Sequence, residues 1–188
     1  MRVFIAIDID EQVRSVLSNL QQQLANSVDI KKSDVKWVEP ENIHLTLKFL
    51  GEIKDEESVQ VCNIVKKIAS RHKGFQLDVE SVGCFGGKKP RVLWIGTGKG
   101  SDNLLQLQED LESQLASAGW PKENREFTGH LTICRIRNPA AAGKLAQVIE
   151  KYKHFKAGVI SADSLAVYQS KLKPTGPVYI RLCEYQLQ

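Results

Sequence analysis

The chain has 188 residues, 42% apolar and 26% charged, the balance of an ordinary globular protein with one full-sized core or two small lobes sharing an interface. A net charge of +4 admits an anionic partner such as RNA but falls far short of the dense Lys/Arg stripes of proteins that coat nucleic acid. Cys62, Cys84, Cys134 and Cys183 are scattered with no C-x-x-C pair, so neither a zinc site nor a disulfide framework is suggested, and a reducing cytosol suits them.

Taken in chain order, Val3 to Ile9 is a strand-like apolar run interrupted by Asp8. It is too short for a secretion signal, and no later stretch approaches the ~18 apolar residues of a membrane span, so a cytoplasmic protein with no membrane partner is expected. Glu11 to Ala25 places Val13, Val16, Leu17, Leu20 and Leu24 on one helical stripe. Strands follow at Lys36 to Val38 and His44 to Leu50, then a helix at Glu56 to Arg71 and a strand at Phe75 to Val82. The second half reads as a strand at Arg91 to Gly96, a helix at Leu104 to Ala118, a strand at Phe127 to Ile136, and a helix at Ala140 to Tyr152 entered from Asn138-Pro139. Strands at Val159 to Tyr168 and Val178 to Tyr185 end the series.

The glycine-rich stretch 95–104, IGTGKGSDNL, fits neither the phosphate loop nor the dinucleotide template, and reads as a tight turn into a helix capped by Ser101 or Asp102. No ATP, NAD or other cofactor is implied. His72 and His154 stand near helix ends beside lysines and read as capping or surface residues. Trp37, Trp94 and Trp120 read as packing residues, and the cations at 88, 89, 91, 171 and 173 are candidates for lining a polyanion route.

An internal repeat organises these elements. RVFIAIDID starts at Arg2 and RVLWIG at Arg91, 89 positions on, while His44 and His130 are 86 apart. Each half runs strand, helix, His strand, helix, Phe-led strand, with Phe75 and Phe155 leading the last. A unit of that length suits two pseudo-symmetric α+β lobes packed as one domain over 1–188.

Each His strand carries a His-Leu-Thr-aliphatic unit, at 44–47 and 130–133. Side chains alternate along a strand, so His44 and Thr46 share one face and Leu45 and Leu47 the other, and likewise for His130 and Thr132 against Leu131 and Ile133. A single strand histidine is most simply a buried residue satisfied by a backbone carbonyl. Two identical polar insertions at equivalent places are costly to bury for so bland a purpose and point to a shared cleft. Two imidazoles supply a base and an acid near neutral pH, as in-line hydrolysis of a phosphodiester needs, and two hydroxyls can hold the non-bridging oxygens.

These paired motifs resemble the two-histidine phosphoesterase superfamily. With RVFIAIDI, HLTLKFLGE, RVLWIG and HLTICR they are most similar to the bacterial and archaeal RNA 2',3'-cyclic phosphodiesterases, historically called 2'-5' RNA ligases. The resemblance implies an α+β bilobal fold of two antiparallel sheets, flanked by helices, around a central cleft. It implies metal-free hydrolysis of terminal RNA 2',3'-cyclic phosphate to 2'-phosphate and reversible, ATP-independent 2'-5' joining. RNA ends with a cyclic phosphate, tRNA fragments among them, become the expected partner of a monomeric enzyme. His44 and His130 become the acid/base pair, Thr46 and Thr132 the phosphate binders, and Arg135 the arginine near the phosphate. The pseudo-symmetry makes the two histidines equivalent, so spacing does not say which is acid and which is base, and His44 is taken provisionally as proton donor and His130 as proton acceptor.

Two points qualify the carry-over. The family has Pro before its second His where this chain has Gly129, which is expected to loosen the strand entry or allow a φ closed to Pro. On a flat strand Arg135 and Phe49 fall on the wrong face, leaving Lys48 and Cys134 beside the histidines; Lys48 is then the phosphate cation unless a bulge turns Arg135 inward. The alternatives are a phosphodiesterase for small cyclic nucleotides or 2'-5' oligonucleotides, and a non-catalytic module that binds RNA ends.

Overall fold

The run RVFIAID forms β1 (Arg2–Asp8), and it is apolar on both faces because it is buried on both. Val3, Ile5 and Ile7 enter the main core, while Phe4 and Ala6 pack in a second, smaller cluster with Ala166 and Tyr168 on the opposite face. In the computed structural model, which describes residues 1–31, 33–87, 90–174 and 176–188, β1 lies inside a continuous antiparallel sheet. Lys88 and Lys89 of the suggested polyanion route lie outside the described residues.

The other strands are β2 (Val35–Trp37), β3 (His44–Glu52), β4 (Phe75–Phe85), β5 (Val92–Thr97), β6 (His130–Ile136), β7 (Lys156–Ala162), β8 (Ser164–Lys173) and β9 (Gly176–Gln186). The helices are α1 (Glu11–Ser27), α2 (Asp55–Ala69), α3 (Ser101–Ser117) and α4 (Pro139–Ile149). Asp10 caps α1 by accepting from the Val13 N–H at 2.8 Å, and Asn138 accepts from the Ala140 N–H at 3.0 Å to start α4. α3 follows Gly100 at φ 95°, so the glycine, and neither Ser101 nor Asp102, precedes its first turn. None of the described helices is long and apolar enough to cross a membrane.

Sheet order is β7-β4-β5-β6-β3-β1-β8-β9, with β2 added beside β6. The order is symmetric about the β6–β3 junction, where one residue pair, Leu45 with Leu131, joins the two halves. The two expected sheets are therefore two lobes of one curled sheet. They do not correspond to the two halves of the sequence: β4 crosses to pair with β5 and β7, while β8 and β9 return to β1. The single strand expected from Val159 to Tyr168 is two strands parted at Asp163, one in each lobe. Asp163 and Ser164 break the alternation there, with Ile160 and Ala162 buried before them and Leu165 after, but a break of phase does not by itself say that the chain changes lobes. The two Phe-led strands are likewise neighbours in one lobe, not symmetry mates. α2 packs on β8 and β9 with α3 beside it, α1 packs on β7, and α4 on β6.

The expectation of unpaired cysteines is corrected for one pair. Cys62 on α2 and Cys183 on β9 form a disulfide across 121 residues, fastening helix to sheet. Closing a loop of that size restricts the unfolded chain by about 4–5 kcal/mol. Nothing in local spacing pairs these two positions; the return of β9 to the first lobe does.

Each His strand contains a bulge, and the two match. Opposite β1, Lys48 pairs with Ile5 and Thr46 with Ala6, skipping Leu47; opposite β5, Cys134 pairs with Leu93 and Thr132 with Trp94, skipping Ile133. The bulges also fix the repeat: Asp8 faces His44 where Gly96 faces His130, so β1 and β5 are offset by 88 positions instead of the 89 suggested by their shared Arg-Val. One extra residue inverts the facing of everything after it. The skipped Ile133 leaves its carbonyl outside the ladder, where it accepts from the Val38 N–H at 3.0 Å and from the Gln21 side chain at 2.8 Å. Gln21, buried on α1, donates its other amide proton to the Val38 carbonyl at 2.8 Å.

Replacing Gln21→Met keeps the volume but strips the Val38 carbonyl of this donor and the Ile133 carbonyl of one of two. A loss of about 2–3 kcal/mol is expected in urea unfolding. A loss below about 0.5 kcal/mol would show that the clamp does not hold the bulge.

Candidate active site

Because the lobes meet at Leu45–Leu131 in an antiparallel ladder, His44 is set beside Thr132 and Thr46 beside His130. Each histidine thus neighbours the threonine of the other motif. The two strands supply the site from their polar faces, and their aliphatic faces (Leu45, Leu47, Leu131, Ile133) are buried in the main core.

Both rings are held the same way. His44 Nδ1 lies 2.8 Å from the Asn42 carbonyl, and His130 Nδ1 lies 2.7 Å from the Thr128 carbonyl, in each case two residues upstream. A carbonyl only accepts, so Nδ1 carries the proton and Nε2 is left as the titrating nitrogen. Among the described residues neither Nε2 has a hydrogen-bond partner. Burial pushes both imidazoles below their ordinary pKa, opposed in each by the carbonyl bond.

The surroundings then differ. Phe4 stacks on His44 with ring centroids 4.7 Å apart, and Tyr179 meets it edge-on at 5.2 Å. The Asp8 carboxylate favours the charged form of His44; it accepts from Tyr168 Oη at 2.6 Å and from Arg181 at 3.1 Å. His130 instead meets Phe85 edge-on at 4.8 Å, with Trp94 at 6.3 Å, and the Arg135 guanidinium disfavours its charged form.

Trp94, expected as a packing residue, pairs with Thr132 and packs on the cleft side of β5, where β1 has Ala6. Its indole lies flat over Gly83, whose missing Cβ makes the room. Gly129 serves a similar end. Its φ is not in the left-handed region, and a Cβ there would come within 2.6 Å of Leu104 and 2.8 Å of Thr97. Close packing under the strand entry, not a special φ, explains this glycine.

The bulges decide between the two candidate cations. Arg135 is turned to the exposed cleft face with His130, as Phe49 is turned to that of His44. Lys48 is corrected: it is 4% exposed and points under the sheet, donating to Glu112 at 2.7 Å and to the Pro121 carbonyl at 2.8 Å. An ammonium so engaged cannot reach a phosphate at the histidines. Cys134 is likewise buried, its thiol pushed up to about 12 by desolvation. His72 bonds Asp110 at 3.1 Å, joining the end of α2 to α3, and His154 is exposed.

Asp8, Gln21 and Tyr168 were not singled out from sequence as contributors to this site. Gln21 had a signal: L-x-x-L-Q-x-x-L occurs at 17–24 and again at 104–111, a polar residue repeated inside a buried stripe.

The LigT like Phosphoesterase family model matches residues 7–94 and again 95–179. An RNA 2',3'-cyclic phosphodiesterase of Methanocaldococcus jannaschii is 34% identical over 180 residues, 95% of this chain and 96% of that protein. Among solved structures, TT0787 of Thermus thermophilus superposes with TM-score 0.81 at 27% identity, covering 100% of this chain and 98% of the other. E. coli LigT complexed with 3'-AMP superposes with TM-score 0.80 at 25% identity, covering 99% and 97%. With its duplicated motifs, exchanged lobes and whole-length match, the chain belongs to the LigT-like phosphoesterase family.

Proposed function

We propose that residues 1–188 form one monomeric, cytoplasmic catalytic domain that opens the 2',3'-cyclic phosphate at RNA ends, those of tRNA fragments included, to a 2'-phosphate without metal or cofactor. The observation that carries this reading is the pair of imidazoles, each with Nδ1–H bound to a carbonyl and Nε2 unengaged, facing one cleft across the lobe junction. The name of the Methanocaldococcus relative supports RNA as the substrate.

In the proposed reaction a water attacks phosphorus opposite O3'. His130 Nε2 takes the water proton, the O–P bond forms as the P–O3' bond breaks, and protonated His44 gives its proton to O3'. Thr46, Thr132 and Arg135 hold the non-bridging oxygens as negative charge builds. The flanking charges support this division of roles: Asp8 favours a protonated His44, and Arg135 a neutral His130. A 5'-hydroxyl in place of water gives a 2'-5' linkage by the same proton transfers. One phosphodiester bond is exchanged for another, so joining needs no ATP and is reversible.

Phosphorus NMR of the product from a cyclic-phosphate RNA end tests the reading: a 2'-phosphate is expected, and a 3'-phosphate or no turnover would overturn it. His44→Ala and His130→Ala should each lower kcat by about 10²–10⁴, and the double variant by little more than either alone.

The profile of kcat/KM against pH should be bell-shaped. Falling pH protonates His130 and removes the base; rising pH deprotonates His44 and removes the acid. Both pKa values are lowered, so the maximum should lie on the acid side of about 6.5. Asp8→Asn removes a charge that raises the His44 pKa, so the alkaline limb should move to lower pH while the acid limb stays.

Activity should survive exhaustive chelation, since acid, base and oxyanion contacts all come from side chains. Loss on chelation with recovery on adding a divalent metal would contradict this mechanism.

A further inference from the structure

Lys48 and Glu112 form a buried ion pair, 2.7 Å apart, that the proposed reaction does not use. The place itself does not demand a charge: at the matching point of the other bulge the inward position is filled by Cys134, neutral and fully buried. Burying two charges is costly, and an apolar pair of similar volume is often as stable or more so. What distinguishes the pair is where its hydrogen bonds go, which is to the segment leading from α3 into His130. The Lys48 ammonium donates to the Pro121 carbonyl at 2.8 Å, and Glu112 Oε1 accepts from the Glu123 N–H at 2.6 Å. The Glu123 carboxylate lies 4.0 Å from the same ammonium.

Among the described residues, 121–128 make no hydrogen bond from main chain to main chain. Trp120 and Phe127 rest on the core at either end and set the segment's depth, while the lysine and the glutamate hold its main chain between them. The segment ends at Thr128, whose carbonyl binds His130 Nδ1 at 2.7 Å. The tether of His44 has separate supports: the Asn42 N–H donates to the Glu39 carbonyl at 2.8 Å, and its side chain to the Pro177 carbonyl at 3.2 Å. We propose that Lys48, with Glu112, is a positioning residue for His130: from the strand of one histidine it fixes the carbonyl that sets the tautomer and direction of the other. The assignment rests on the paired-histidine reaction and adds that the two motifs are coupled beneath the sheet as well as through the Leu45–Leu131 rung.

Lys48→Met and the double variant Lys48→Met/Glu112→Gln should be compared with the native chain in kcat, KM, pH profile and histidine nitrogen-15 spectrum. The single variant strands a buried carboxylate and can fail to fold; the double variant removes both charges and keeps at position 112 an acceptor for the Glu123 N–H. Both leave the Pro121 carbonyl without its donor. Each should lower kcat about 10–100-fold and hold KM within about twofold, because the base acts in the transition state. The Thr128 bond raises the His130 pKa, so weakening it should move the acid limb to lower pH while the alkaline limb, set by His44, stays. The other charged groups acting on His130 are Arg135 on its own strand and His44 across the junction, and neither is altered. In the spectrum His130 Nδ1–H should lose its hydrogen-bonded signature while His44 keeps its own. A double variant that leaves the His130 signals and acid limb unchanged, or that alters His44 as much as His130, would overturn the assignment. A native chain that opens no cyclic phosphate would overturn the paired-histidine reaction separately, since the nitrogen-15 comparison reads the tether without turnover.

Discussion

Everything at this site depends on one backbone pairing. Leu45 and Leu131 form the single rung between β3 and β6, and it sets each histidine beside the threonine of the opposite motif. Were the strands paired along their whole length, the two polar faces would lie in one flat surface. Joined at one rung, they splay, and the faces close on a cleft. The exchange of β4, β8 and β9 between lobes keeps that rung in place, because neither lobe can separate without breaking strand pairs of its own.

Symmetry supplies the rings and asymmetry supplies their roles. The two imidazoles share a tether, Nδ1–H to the carbonyl two residues before, and share the lowering of pKa by burial. Their neighbours then diverge: His44 has a carboxylate held by Tyr168 and Arg181, His130 has a guanidinium. A duplicated unit thereby yields two groups of opposite duty through one charged neighbour each. The same divergence shows beneath the bulges. Gln21 satisfies one through neutral hydrogen bonds, whereas a buried Lys48–Glu112 pair braces the strand at the other.

The sequence made the site legible where period-two alternation held. His44, Thr46, His130 and Thr132 share a face by simple counting, and the duplication argued that the face had a use. Counting failed one residue past each threonine. In HLTICRI the adjacent Ile133 and Cys134 both face inward and Arg135 outward, a break of phase that signals a bulge. In HLTLKFL the inward residue after Leu47 is a lysine, and that polarity hid the same break. The strand crossing at Asp163 and the Cys62–Cys183 bond were illegible for a different reason: both are set by which lobe a strand joins, and local pattern carries no record of that.

The central claim is that both imidazoles are fixed as Nδ1–H tautomers with Nε2 left to the reaction. Nitrogen-15 NMR of the histidine side chains, at a pH above both titrations, reads this directly. For His44 and His130 alike, a protonated Nδ1 held in a hydrogen bond and an unprotonated Nε2 are expected. Finding the proton on Nε2 of either ring would contradict the claim, because that ring would then present its only free lone pair to a backbone carbonyl instead of to the cleft.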